Sequence, residues 1–340
     1  MTASESERYS RQTLFAPIGE AGQERLLASH AAVVGCGALG SFHAAALARA
    51  GVGRLTLIDR DYVEPSNLQR QWLYTEADAA QAVPKAVAAR NAIQRINSGV
   101  CVDAHVSDLT AENVSDLLGE SDVLLDGSDN FEVRYLLNDF AVREGKPWIY
   151  GGAVASNGVV MPVLPGESAC LACIFPAAPG GAQPTCDTAG VLGSATAAVA
   201  AFQVAEALKI LSGNRQAVRK QLLTLDVWEG TPRAVSTAMP NPDCRACGRR
   251  EFSHLEPAAR RPAVLCGRNA VQIHDRQGPL DLDQLAKTLS PLGPAVANEY
   301  VVRFNVSSYE MTIFEDGRAI IKGTGDPAVA RSLYARYIGS

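Results

Sequence analysis

The sequence is poor in histidine, with five in 340 residues. None stands at ligand spacing from another, so histidine nominates no metal centre. Excess basic charge is also missing: Lys and Arg number 31 against 36 Asp and Glu, a net charge of −5. That balance argues against a general nucleic-acid or membrane surface, and any local basic cluster then needs a local ligand. The first residues, MTASESERYSRQ, are polar and hold no apolar leader, so a cytoplasmic rather than secreted protein is expected. The longest apolar run, Ala195 to Leu211, is interrupted by Gln203, Glu206 and Lys209. It reads as too short to span a bilayer and as a small-residue helix packed against protein. Internal repeats and low-complexity segments are absent as well.

What is present fits an ordinary globular chain: 47% hydrophobic and 20% charged residues over a length that suggests a large domain plus a smaller one, or two domains. The eight cysteines include two CxxC pairs, which in a cytoplasmic setting favours metal binding or thiol chemistry over a disulfide framework.

Along the chain, strand and helix patterns alternate. A polar helix over about Gly19 to Ser29 precedes the strand AAVVGCG and the small-residue helix SFHAAALARAG, closed by Gly51. RLTLID is a second strand, Ala77 to Ile96 a helix, VCVDAHV a third strand and DVLLDGSD a fourth. The helix ending in NDFAVREGK leads to the strand WIYGGAV. This order implies an α/β fold, a Rossmann-like parallel sheet with right-handed crossovers. From Asn157 shorter strands separated by Gly and Pro are expected, giving a mixed-sheet second half that includes LLTLDVWEG. Asn241 to Pro262, rich in Pro, Arg and Cys, reads as a domain edge and linker. Beyond it lies a compact α+β unit: strands AVQIH, YVVRFNV and MTIFEDGRAIIKG, with a turn at Asp316-Gly317, and helices DLDQLAKTL and DPAVARSLYARYIG. The expected domains are therefore 1–250 and 258–340.

The candidate site begins at GCGALG (Gly35 to Gly40), after a strand and before a helix. Gly35, Gly37 and Gly40 let the backbone turn tightly and approach a phosphate held at the helix N-terminus. Asp59, at the end of the second strand, is placed to accept ribose hydroxyls. Taken alone, this pair favours a dinucleotide site and an NAD-dependent oxidoreductase. The stretch DRDYVEPSNLQRQ (Asp59 to Gln71) is at odds with that, because a nicotinamide site has no need of Asn67, Arg70 and Gln71.

Eight motifs occur in order: RYSRQ (Arg8 to Gln12), GCGALG, DRDYVEPSNLQRQ, Pro84-Lys85, GSDN (Gly127 to Asn130), CLAC (Cys170 to Cys173), TCDTAG (Thr185 to Gly190) and CRAC (Cys244 to Cys247). Together they resemble the ThiF/MoeB family of sulfur-carrier-protein adenylyltransferases, relatives of ubiquitin-activating enzymes, over roughly residues 7 to 250. The C-terminal part resembles the extension of longer ThiF-type proteins and lacks the active-site cysteine loop of a rhodanese domain. The resemblance implies an ATP-dependent nucleotidyltransferase that adenylates the C-terminal Gly-Gly carboxylate of a ubiquitin-like sulfur carrier. A ThiS-like carrier of thiamin thiazole synthesis is the first expectation and a MoaD-like carrier of molybdopterin synthesis the second. It implies a homodimer and a sulfur donor such as a cysteine desulfurase as further partners.

The roles implied for individual residues follow. Gly35, Gly37, Gly40 and Asp59 hold adenosine and ribose. Asn67, Arg70 and Lys85 face the phosphates, with Gln71 supporting them. Asp129 holds Mg²⁺ at the carboxyl edge of the sheet, although the same position suits a plain helix N-cap before Phe131. Arg11 reaches the ATP of the other subunit. Cys186 is the cysteine that can bond to the activated carrier tail.

From their spacing, Cys170, Cys173, Cys244 and Cys247 read as a closed structural zinc site without catalytic role, with a redox CxxC or unrelated buried thiols as alternatives. Cys36, Cys101 and Cys266 read as small packing residues. A zinc-stapled interaction module without activity stays open at this level, as does NAD chemistry. A tRNA-modifying relative is disfavoured by the net charge.

Overall fold

The computed structural model describes residues 1–177, 186–256, 263–265, 269–274 and 278–339, side chains at 186–187 and 263–265 excepted. The chain divides into two compact units, Met1–Gln183 with Val191–Pro257, and Pro184–Gly190 with Ala258–Ser340.

The larger unit opens with three helices, α1 (Ala3–Arg8), α2 (Ser10–Thr13) and α3 (Gly19–Ala28). Alternation follows: β1 (His30–Val34), α4 (Ala38–Ala50), β2 (Arg54–Ile58), α5 (Glu76–Ala80), α6 (Lys85–Ile96), β3 (Cys101–His105), α7 (Val114–Leu118), β4 (Val123–Asp126), α8 (Phe131–Glu144), β5 (Trp148–Val154) and β6 (Asn157–Val163). After α9 (Leu171–Ile174), and α10 (Cys186–Ala189) of the smaller unit, come α11 (Gly193–Leu211), β7 (Gln221–Asp226) and β8 (Thr231–Ser236).

Runs such as HAAVV and VLLD bury every residue, as strands covered by helices on both faces must. They form an 8-stranded sheet in the order β3-β2-β1-β4-β5-β6-β7-β8. Pairing is parallel from β3 through β5 and antiparallel from β6 onward. The order reverses between β1 and β4, which opens a crevice at their carboxyl ends. In register, Val34 faces Ile58 on one side and Asp126 on the other, so Gly35, Asp59 and Gly127 emerge level with one another.

Three expectations need correction. The helix over Ala77 to Ile96 is two helices, because Pro84 disfavours a helical Val83 and cannot donate to the preceding turn. Lys85 is thereby the first residue of α6. Within the larger unit strands do not shorten beyond Asn157, since β6 spans 7 residues; what changes there is direction. The Asn241 to Pro262 segment is no linker as far as it is described: Phe252 and Leu255 pack on the core and His254 stacks on Tyr135.

Helix α11 runs 19 residues, long and apolar enough by length and composition to cross a membrane. It nevertheless buries Gln203 and Glu206 completely and packs on α4, β5 and β6, so it is a core helix of this unit.

The smaller unit holds β9 (Ala263–Leu265), β10 (Ala270–Ile273), α12 (Leu282–Leu289), β11 (Ala295–Ala297), β12 (Val301–Val306), β13 (Tyr309–Phe314), β14 (Ala319–Lys322) and α13 (Pro327–Tyr337). Its strands form an antiparallel sheet ordered β11-β12-β13-β14-β10-β9. Val271, Phe304, Met311 and Ile321 from the sheet meet Leu289 and Tyr334 from the helices.

Candidate active site

The glycine loop is set by close backbone packing. A Cβ at Gly35 would stand 2.6 Å from the Gly127 carbonyl oxygen, and one at Gly40 would collide with the Gly35 carbonyl. Gly35 also has φ 85°, which a side chain would strain. Gly37 differs, for the nearest atom to a Cβ there is Gln71 Nε2 at 3.9 Å. Its small size leaves room in front of the N-terminus of α4, where phosphate binds well.

Asp59 is buried, and its two carboxylate oxygens accept the Cys36 amide at 2.6 Å and the Asp61 amide at 2.7 Å. Asp59 therefore fastens the loop to β2, and a carboxylate retains further acceptor capacity for a ligand. Burial raises its pKa, the Lys85 charge opposes this and the Asp61 charge adds to it. Lys85 is 3% exposed; its Nζ lies 3.0 Å from Asp61 Oδ2, and its amide donates to the Asp61 carbonyl at 2.8 Å.

The polar run after Asp59 folds over the same place. Asn67 is buried, its Oδ1 accepting the Glu64 amide at 3.1 Å in a one-turn 3₁₀ helix, Pro65–Asn67. Gln71 is 3% exposed, and its Oε1 finds no hydrogen-bond partner among the described residues. Its Nε2, a donor, is the atom that stands on the open side of Gly37. Arg70 is half-buried, holds the Ser66 carbonyl at 2.8 Å and lies against Gly193 at the start of α11.

Asp129 is exposed, directly after β4. The N-cap role belongs to its neighbour: Asn130 Oδ1 accepts the Val133 amide at 2.9 Å. Behind it, the fully buried Asp126 receives the Ser128 amide and hydroxyl at 2.9 and 2.6 Å. Arg134 Nε lies 3.4 Å from Asp126 Oδ2, and its Nη2 donates to the Ser128 carbonyl at 2.9 Å. The Gly127–Asp129 turn is thus clamped from beneath.

Arg60 extends the ion pair of Lys85 and Asp61. It pairs with Asp108 at 2.9 Å and stands 3.9 Å from Asp61. Burial works against its charge, and the fields of Asp108, Asp61 and Asp129 outweigh that and raise its pKa. Lys85, Asp61, Arg60 and Asp108 therefore form one charge cluster beyond β2, with Asp129, after β4, near enough for its field to reach Arg60. Such a set suits Mg²⁺, which is commonly held by one or two carboxylates plus substrate phosphates. Arg60, Asp61 and Tyr74 have no role assigned from sequence; the alternation of charge in DRD signals the first two, and nothing local signals Tyr74.

Arg11 is not brought to this cluster within one chain. Its neighbours on α2 are anchored: Gln12 Nε2 reaches Gln23 Oε1 at 2.6 Å and the Ala50 carbonyl at 2.8 Å, while Tyr9 is buried and its hydroxyl accepts from Asn97 at 2.9 Å. Arg11 itself faces solvent, followed by Leu14 at 73% and Phe15 at 60% exposure.

The four CxxC thiols converge. Cys170 lies 3.8 Å from Cys173 and 3.6 Å from Cys244, and Cys173 lies 3.3 Å from Cys247. All four ligand atoms lie within 4.8 Å of one another. A tetrahedral ion with bonds of about 2.3 Å requires sulfur separations of about 3.8 Å, so the set fits zinc with no open position. Burial, and then the neighbouring thiols, push Cys247 up to about 12. Helix α8 holds both pairs: Asn138 Oδ1 accepts the Leu171 amide at 2.8 Å, and Asp139 receives both Arg245 terminal nitrogens at 2.8 Å.

Cys186 begins α10, but its side chain, like all of Cys266, falls outside the described residues. Cys36 is buried as expected, whereas Cys101 is exposed at the start of the edge strand β3, against the expectation of a packing residue.

Known proteins resemble this chain along most of its length. Sulfur carrier protein ThiS adenylyltransferase of Bacillus subtilis is 46% identical over 337 residues, 98% of this chain and 99% of the relative. Sulfur carrier protein adenylyltransferase of Thermus thermophilus is 42% identical over 73% of this chain and 92% of its own length. Among solved structures, E. coli MccB with ATP aligns over 71% of this chain and 74% of its own, with a TM-score of 0.61 at 22% identity, a likeness of fold. The model of the ThiF family matches residues 9–246. With that match and these relatives, the chain belongs to the ThiF family.

Proposed function

We propose that this protein is an adenylyltransferase that activates the C-terminal Gly-Gly carboxylate of a ThiS-like sulfur carrier for thiazole synthesis. The observation that carries the branch is the 46% identity to the Bacillus subtilis ThiS adenylyltransferase across 98% of the chain, the small C-terminal unit included. A MoaD-like carrier is the second reading, supported by the 40% identity to bovine adenylyltransferase and sulfurtransferase MOCS3, of which this chain spans 55%.

In the reaction a carboxylate oxygen of the carrier attacks the α-phosphorus of ATP. The bond to the bridging oxygen breaks, pyrophosphate leaves and a carrier acyl-adenylate remains. The nucleophile is already ionised, so no strong base is required; the protein aligns two anions and spreads the developing charge. Gly35, Gly37, Gly40 and Asp59 would bind the adenosine, with Asn67, Arg70, Gln71 and Lys85 about the phosphates. Asp129 would hold Mg²⁺, which neutralises phosphate charge when bound. Arg11, exposed beside Leu14 and Phe15, is assigned to the crevice of a second copy, which makes the active form a homodimer. Zinc in the four-cysteine site is structural, Cys186 is assigned to the sulfur-transfer stage, and a cysteine desulfurase-type donor supplies the sulfur. Residues 1–250 carry the adenylation machinery, and 258–340 form an accessory domain in a cytoplasmic enzyme.

ATP–pyrophosphate exchange with purified carriers tests the reading. Exchange stimulated by a ThiS-like protein more than by a MoaD-like one is expected, the reverse order moves the branch, and tight NAD binding without ATP binding overturns the class.

A further inference from the structure

Tyr74 lies outside the reacting set, yet its hydroxyl joins the elements that carry that set. The side chain is 8% exposed. Its Oη donates to the Cys36 carbonyl at 2.6 Å and lies 3.2 Å from the Lys85 carbonyl. A single O–H serves one carbonyl at a time, so the shorter contact is the bond and the longer its alternative. Burial holds the phenol well above its ordinary pKa, so it stays a donor.

From there a ring closes. The Cys36 amide binds Asp59, Asp59 accepts the Asp61 amide, and Asp61 takes both the Lys85 amide and the Lys85 ammonium. The Tyr74 amide continues to the Gln71 carbonyl at 3.3 Å, and the Gln71 amide to the Asn67 carbonyl at 3.0 Å. Glycine loop, polar run and the first turn of α6 thus meet at one hydroxyl.

We propose that Tyr74 is a positioning residue for adenylation, fixing the glycine loop against the start of α6 and so setting where Lys85 meets a phosphate. This rests on the ATP reading of the same site. A tyrosine that merely fills the core would affect stability alone, and the two roles separate in a binding measurement.

The test is a double-mutant cycle on the Mg-ATP dissociation constant, measured by calorimetry beside melting temperature. Tyr74→Phe keeps the ring and loses the hydroxyl; it should weaken Mg-ATP binding roughly tenfold. In a Lys85→Ala background the same change should add less than about twofold, because the two act as one unit. Tyr135→Phe loses a comparable hydroxyl, bonded to the Phe175 carbonyl at 2.8 Å, and should leave ATP binding unchanged whatever it does to melting. Unaltered binding in Tyr74→Phe, or a tenfold loss that persists without Lys85, overturns the proposal. A wild-type protein that neither binds ATP nor exchanges pyrophosphate overturns the adenylation reading beneath it.

Discussion

A methyl group added at Gly40 meets the Gly35 carbonyl, whereas one added at Gly37 meets nothing nearer than Gln71 Nε2 at 3.9 Å. The two glycines therefore answer to different constraints, one to the fold and one to a ligand. Gly40→Ala should cost about 1–3 kcal/mol of stability through overpacking, read as a lower denaturation midpoint. Gly37→Ala should keep the wild-type midpoint and weaken ATP binding instead. Equal losses of stability in both would contradict the assignment of Gly37 to the ligand. At this scale much of the candidate site was legible, since GCGALG, Asp59 and the Asn67 to Gln71 run are local patterns. What sequence could not show is that Asp59 is already bonded to the Cys36 amide, or that Lys85 is held by Asp61. Those are contacts between segments, and spacing does not encode them.

Helix α8 is the element that links the two centres, because it starts just beyond Asp129 and carries Asn138 and Asp139 into the cysteine site. Asp139 is fully buried. Burial pushes its carboxyl up, yet the bonds from His254 and Arg245 prevail and hold its pKa below the ordinary value. Asp139→Asn should lower zinc affinity roughly 10–100-fold, measured by competition with a chromophoric chelator; unchanged affinity would remove α8 from the zinc site's support.

A second buried contact ties α4 to α11: His43 Nε2 to Gln203 Oε1 at 2.8 Å, with Gln203 Nε2 donating to the Asp126 and Ile149 carbonyls. Burial lowers the His43 pKa from 6.5 to about 4. A depressed folded-state value means that its stabilisation is complete above about pH 6.5 and is lost as pH falls towards 4, on the order of 3 kcal/mol. Denaturant midpoints measured from pH 7 to 4.5 should fall less steeply in His43→Gln than in wild type, and parallel slopes would exclude His43. Their polar side chains assign Asn138, Asp139, Gln203 and Glu206 to solvent, so their burial could not be read from residue type, although Gln203 falls on the Val199–Ala207 face of α11. Of the polar interruptions of Ala195 to Leu211, Gln203 and Glu206 prove to be interior anchors, while Lys209 is part exposed and pairs with Glu206 at 2.8 Å.

Over the whole molecule, the parallel half was readable because hydrophobic strands alternate with capped helices, and Gly51 and Gly145 end α4 and α8 in the left-handed conformation as such glycines should. The break before Lys85 was signalled by Pro84 but hidden by the apolar periodicity on either side. Strands β9 and β11, of 3 residues each, are too short to leave a period. Two CxxC pairs some 70 residues apart gave the metal reading, and the fold brings all four thiols within 4.8 Å. Adenylation requires this fold to present ATP to a protein carboxylate. Intact-mass spectrometry of a ThiS-like carrier incubated with the enzyme and Mg-ATP reads that step on the carrier itself. A mass gain of one AMP on the carrier is expected, abolished by deleting its terminal Gly-Gly and strongly reduced in Lys85→Ala. A carrier that stays unmodified with active ATP-binding enzyme, or that is modified equally without its Gly-Gly, would contradict it.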